Sequence, residues 1–133
     1  MKMHPYLTFD GQCEAAFKFY EQCLGGTNLD VRTFAGSPAE EHVPAAMRDK
    51  VLHASLQVGD QVLMGSDGPP ERFVAMSGFW VSLHPTDPAE AERVFEALAE
   101  GGTVTMPLAP TFWAKSFGMV TDRFGAPWMV NCG

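Results

Sequence analysis

LTFDGQCEAAFKFYEQCLGGT (residues 7–27) and LHPTDPAEAERVFEALAEGGT (residues 83–103) decide the fold, because one echoes the other at an offset of 76 residues. Leu7, Glu14, Ala15, Phe19, Gly25, Gly26 and Thr27 meet Leu83, Glu90, Ala91, Phe95, Gly101, Gly102 and Thr103, seven identities in 21 positions. Unrelated segments of ordinary composition share about one or two. Self-similarity of this kind marks a duplicated unit; the competing reading is two ordinary strand–helix–glycine segments that look alike. Each segment opens on a short strand and continues as an amphipathic helix stopped by two glycines. Ala16, Phe17, Tyr20 and Leu24 form the apolar stripe of the first helix, and Ala91, Val94, Phe95 and Leu98 that of the second. Asp87, Pro88 and Glu90 open the second helix: an acceptor for its free amides, a residue without the amide that would be orphaned, and a carboxylate in the first turn.

Outward from these segments, each half continues with three strands. The first half offers 28–34, 51–58 and 61–66, the last two joined by a Gly59-Asp60 turn; the second offers 103–109, 117–122 and 127–132, after an opening strand at 79–83. The expected fold is therefore α+β, two βαβββ modules in one domain over 1–133. Module one covers about 1–66, a linker about 67–76, and module two about 77–133. Residues 35–50, AGSPAEEHVPAAMRDK, read either as a flap over a site or as a surface insertion.

One helix covers one face of its sheet, so the other faces need a role. In VLHASLQV (51–58) Leu52, Ala54, Leu56 and Val58 alternate with His53, Ser55 and Gln57; in HPYLTF (4–9) Pro5, Leu7 and Phe9 alternate with His4, Tyr6 and Thr8. Polar second faces either meet solvent or line a cavity between the sheets. Phe112, Trp113, Phe117, Phe124 and Trp128 crowd the segment 111–131. They read as core packing, or, for Phe112 and Trp113 after Pro107 and Pro110, as a cavity wall. Asp122 is expected to fix the DRFG turn through its side chain.

The chain has 133 residues, enough for a core without disulfide or metal. Its net charge of −7 and lack of a basic stripe exclude nucleic acid as the expected partner. No apolar run is long enough for a membrane span or a secretion signal, which makes the cytoplasm the expected compartment. Cys13, Cys23 and Cys132 are expected to be reduced and mostly buried, the first two too far apart on one helix to bridge.

The opening PYLTFDGQCEAAFKFYEQCLGG, the central HASLQVGD and the closing TFWAKSFGMVTDRFGAPWMVN together resemble the PhnB-like family of the vicinal-oxygen-chelate superfamily, which includes glyoxalases, bleomycin-resistance proteins and extradiol dioxygenases. The resemblance spans nearly the whole chain. It implies paired half-barrels around a cavity, and a homodimer. Superfamily enzymes hold one divalent metal with four side chains, and the corresponding positions here are His4 or Pro5, Met64, Gly78 or Phe79, and Met129. Only His4 among them suits a hard or borderline cation, so no metal and no other cofactor is expected. His4 and His53 are the pair left for an unorthodox site. Some family members carry a demethylubiquinone methyltransferase description. Methyl transfer is not expected here, because LGGT and EGGT lie at helix ends, not in a strand–helix turn.

The resulting expectation is a protein that binds a small, apolar or aromatic molecule in a cavity lined by His4, Tyr6, His53, Ser55, Gln57, Met64, Phe112, Trp113, Phe117, Met129 and Asn131. Two alternatives stand beside it. One is a metal-dependent lyase, isomerase or dioxygenase of the glyoxalase type; the other is a drug-sequestering resistance protein. No catalytic residue is identified.

Overall fold

A computed structural model describes all residues, Met1–Gly133, as two compact units, Met1–Val74 and Ala75–Gly133. In the first, β1 (Tyr6–Phe9) leads into α1 (Cys13–Leu24), and β2 (Thr27–Thr33), β3 (Val51–Val58) and β4 (Gln61–Asp67) follow. The sheet order is β1-β4-β3-β2, with β1 parallel to β4 and the other pairs antiparallel. The second unit repeats this with β5 (Val81–Leu83), α2 (Pro88–Ala99), β6 (Thr103–Ala109), β7 (Ser116–Thr121) and β8 (Pro127–Cys132), in the order β5-β8-β7-β6. The α+β class and the two βαβββ modules are as the sequence implied.

Alternation along each strand sorts the faces. Leu7, Phe9, Ala54 and Leu56 are buried with Phe17 and Tyr20 of α1, and Val120, Trp128 and Val130 are buried with Phe95 and Leu98 of α2. Burying these side chains is the main stabilising term, about 1.5–3 kcal/mol for each large one.

The structure departs from the sequence reading at several places. The helices stand 75 residues apart, Cys13–Leu24 against Pro88–Ala99, whereas the left-handed glycines Gly25 and Gly101 stand 76 apart. An extra residue, Glu100, separates α2 from its glycine. The echo is therefore one residue out of phase within the helices. Ala15 is exposed where Ala91 is buried, and the buried pairs are Ala16 with Ala91, Tyr20 with Phe95 and Cys23 with Leu98. Leu24 is only half-buried, and Cys13 and Cys23 complete the stripe instead. All three cysteines are free and buried.

The opening strand of the second unit is shorter than 79–83, because only Val81–Leu83 pair with β8. Asp67 closes β4 rather than opening a linker. Its carboxylate accepts from the Cys13 amide at 3.0 Å and the Val51 amide at 2.9 Å, which ties it to α1 and β3. Residues 35–50 contain two single 3-10 turns, Glu40–His42 and Ala45–Met47, pinned by the buried Met47. The amides of Phe34 and Ala35 donate to the carbonyls of Lys50 and Arg48, so the two ends of this segment close on each other.

Candidate functional site

Each sheet has an open face, opposite its helix, and the sequence-derived candidates divide between them. On the first, cross-strand registers place Tyr6, Met64 and Ser55 in one row, with Asp30 of β2 beyond Ser55. His53 is opposite Arg32. The Tyr6 hydroxyl lies 3.4 Å from Nδ1 of His53, and the rings are 5.8 Å apart. Tyr6 is half-exposed, while His53, Ser55 and Met64 are half-buried. Gln57 shares this face but is engaged within the fold: its Oε1 accepts from Asn28 Nδ2 at 2.9 Å and its Nε2 donates to the Gly59 carbonyl at 3.1 Å. His4, just before β1 with the parity of Tyr6, is half-buried, and its Nδ1 is enclosed without a hydrogen-bond partner.

On the second open face, Met129 stands beside Ser82 on one side and Met119 on the other, and Met119 is opposite Met106. Three thioethers thus cross the sheet in one row. Phe117 and Asn131 are paired next to them. The Oδ1 of Asn131 is enclosed and unpartnered, the counterpart of His4 Nδ1 on the other sheet. Sequence reasoning missed Met119 and Met106. The alternation in SFGMVT, with Gly118 and Val120 buried and Phe117 and Met119 half-buried, is the signal that reveals Met119. Ser82 is also new, its hydroxyl 2.9 Å from Nε2 of His84.

Phe112 and Trp113 stand on the β6–β7 connection. Thr111 shapes it, its Oγ1 accepting from the amides of Trp113 at 3.3 Å and Ala114 at 3.0 Å. Phe112 is 98% exposed and Trp113 is 50% exposed. Their rings meet edge to face at 4.8 Å, and Trp113 lies 5.4 Å from Phe117, so an aromatic series runs from the loop tip to the open face. Asp122, by contrast, is 3% exposed and structural. Its Oδ1 accepts from the amides of Phe124 and Ala126, and its Oδ2 accepts from Trp128 Nε1 at 2.8 Å, as expected for a turn-fixing carboxylate.

The donor set does not fit the divalent metal of the superfamily enzymes. No three His, Cys, Asp or Glu side chains converge anywhere in the molecule. The positions that the resemblance assigns to the metal ligands carry His4 or Pro5, Met64, Met129 and either Gly78 or Phe79, at most one imidazole among thioethers and residues with no donor.

The sequence profile of the family described as 3-demethylubiquinone-9 3-methyltransferase matches residues 1–131. Protein YjdN of Escherichia coli K12 is 35% identical, over 98% of this chain and 95% of its own length. The crystal structure of protein PA1353 from Pseudomonas aeruginosa is 52% identical with a TM-score of 0.90, covering 99% of this chain and 97% of that one. The PhnB protein of Bacillus cereus matches at 23% identity over the full length of both chains with a TM-score of 0.79, a likeness of fold. No helix is long and apolar enough to cross a membrane.

Proposed function

The chain belongs to the family described as 3-demethylubiquinone-9 3-methyltransferase, and from that premise we propose that it is a PhnB-like member of the vicinal-oxygen-chelate superfamily that binds a small, mainly apolar or aromatic molecule on the open faces of its sheets, without metal. One observation carries the reading. The only enclosed side-chain polar atoms without a hydrogen-bond partner are His4 Nδ1, just before β1, and Asn131 Oδ1, on β8. Enclosed polar atoms are nearly always paired, and each exception calls for a partner such as a ligand or water. Around them the lining is soft and adaptable: Met64 on one sheet, Met129 and Met119 on the other, with Phe117 and Trp113 beside the latter.

Methyl transfer is not part of this proposal. The strand–helix links are Asp10-Gly11-Gln12 and His84–Asp87, neither of them glycine-rich. Both helix N-termini are already occupied by the chain's own carboxylates, Asp67 at α1 and Asp87 at α2. We further propose that the protein works as a cytoplasmic homodimer; Val104 and Met106 on the edge strand β6, each 44% exposed, are the apolar surface such an assembly would cover.

Native mass spectrometry of freshly purified protein tests the reading, followed by calorimetry with whatever co-purifies. Trp113→Ala should weaken binding by about 1–3 kcal/mol, from the area a large aromatic buries, with the fold intact. Stoichiometric zinc, nickel or iron that disappears in His4→Ala would overturn the metal-free reading. A strictly monomeric mass by light scattering at micromolar concentration would remove the dimer.

A further inference from the structure

Of the nine Lys and Arg side chains, eight are exposed and one, Lys50, is half-buried. Lys50 makes no ion pair, whereas Lys18, Arg32 and Arg93 each have one. Of the three acids that share a wall with it, Glu14 pairs with Lys18 at 3.0 Å, Asp67 accepts from two backbone amides, and Asp49 is exposed and makes no ion pair. The side chain lies against Gly11, where a Cβ would come within 3.5 Å of Cε and Nζ. Gly11 has φ +86°, so the position resists a side chain on two counts.

Lys50 forms part of the wall of a cavity of about 800 Å³ that lies wholly within the first unit. Its walls are the Asp10–Gln12 link, the segment from His42 to Lys50, and the turn from Gly68 to Arg72. None of the open-face residues takes part. Phe34, Val43, Pro44 and Met47 supply an apolar lining, with Met47 buried beneath the segment. Arg72 brings a second cation without an ion pair, and His42 a further polar group. Asp10 and Glu71, also without ion pairs, set a limit on negative charge. The size falls within the range of small-molecule sites, which combine apolar walls with a few placed polar groups.

We propose that this cavity is a second ligand site, separate from the open faces, that takes a small organic monoanion: a carboxylate on Lys50, with Arg72 assisting, and an apolar body against Phe34, Val43 and Met47. A dianion would meet Asp10 and Glu71, so a phosphate or dicarboxylate is selected against. Residues 35–50 then serve as the wall of a site.

The test uses the full-length protein, labelled with nitrogen-15 and titrated with benzoate, 3-phenylpropanoate and octanoate up to about 10 mM, the weak end of specific affinities. At least one acid should give saturable amide shifts at Gly11, Met47, Lys50 and Gly68. The amide isostere of that acid should bind about tenfold more weakly or worse, the loss of one charge-assisted contact. Lys50→Met should show the same loss, and Lys50→Arg should recover most of it. If Lys50→Met fails to fold, the preference of the native protein for acid over amide decides alone. Four results overturn the proposal: no saturable shift with any acid, equal binding of acid and amide, tighter binding of inorganic phosphate or L-phenylalanine than of 3-phenylpropanoate, or shifts confined to β3 and β8. The last of these would leave the open-face reading standing while removing this one.

Discussion

Helix α1 begins without a side-chain cap of its own, whereas α2 begins with one. Gln12 precedes α1 and makes no capping bond, so the first amide, that of Cys13, reaches 3.0 Å to Asp67, 54 residues along the chain. The first residue of α2 is Pro88, which has no amide to satisfy, and Asp87 accepts from the Glu90 amide at 2.9 Å. One unit satisfies its helix end through the tertiary fold and the other through four consecutive residues. The long-range solution also holds β3, since Asp67 accepts from Val51 as well. The second unit uses its own buried carboxylate elsewhere, with Asp122 locking the β7–β8 turn and the Trp128 indole. The same sheet order therefore rests on different fastenings.

The largest effect in this comparison belongs to Asp122. Asp122→Ala leaves two amides and an indole N–H without their acceptor inside the fold, and is expected to cost about 3–5 kcal/mol. Asp67→Ala removes two such bonds and should cost about 2–4 kcal/mol. Urea denaturation followed separately by Trp128 fluorescence and by amide signals of α1 would check both. A smaller loss for Asp122→Ala than for Asp67→Ala would reverse the assignment of the stronger fastening.

The units also differ in where they make room for a helix phenylalanine. In the first, Phe17 lies over Gly65 of β4, where a Cβ would sit 2.7 Å from its ring and 2.8 Å from the Leu7 carbonyl oxygen. In the second, Phe95 lies over Gly118 of β7, 2.7 Å from such a Cβ, with Leu108 Cα at 2.9 Å. The neighbouring positions are Ala54 opposite Gly65 and Val130 opposite Gly118, so the small residue has moved to the adjacent strand. Gly65→Ala and Gly118→Ala should each cost about 1–3 kcal/mol through overpacking, measured by thermal melts. Cutting Phe17 or Phe95 back to Leu in the matching glycine variant should recover part of it. Recovery by the opposite phenylalanine would break the pairing.

These contrasts mark what the sequence made legible. Alternation and helical spacing gave the βαβββ order, because burial imposes both periods on every element. Asp122 was readable because its partners lie within six residues, inside a turn with its own chemistry. Asp67 was not, because nothing near it in sequence announces Cys13 or Val51; it looked like the start of a linker. His4, Tyr6, His53, Ser55 and Gln57 followed from strand parity, whereas Met64 and Met129 came from the family resemblance. Parity did not show that Gln57 is engaged by Asn28, nor that Phe112 stands almost wholly in solvent. The half-burial of Lys50 depends on where three loops meet, which no local pattern encodes. Within the short-range class, Asp87→Ala should cost only about 1 kcal/mol, a helix-cap loss, visible as faster amide exchange in the first turn of α2. A cost equal to that of Asp67→Ala would erase the distinction between local and long-range capping.

The smallest effect concerns the thiol at the start of α1. Cys13 is fully buried; burial first, then the carboxylates of Asp67 and Glu14, push its pKa up from the ordinary thiol value of 9.0. The folded protein then keeps a proton on Cys13 that the unfolded chain releases above that pH. A group whose folded pKa is raised contributes stability that is complete below the unfolded value and declines as pH rises through and beyond it. Stability should therefore fall between pH 8 and pH 10 by about 1 kcal/mol through this residue, approaching the limit of about 1.4 kcal/mol per pH unit for one proton. The measurement is the difference between the native protein and Cys13→Ala in denaturation at the two pH values. The variant should lose that part of the decline and keep the rest. Equal declines would mean that the thiol ionises in place, and that α1 tolerates a second negative charge beside Asp67. The second unit has no equivalent: Pro88 occupies the matching helical position, and its missing amide is the reason no buried carboxylate is needed there.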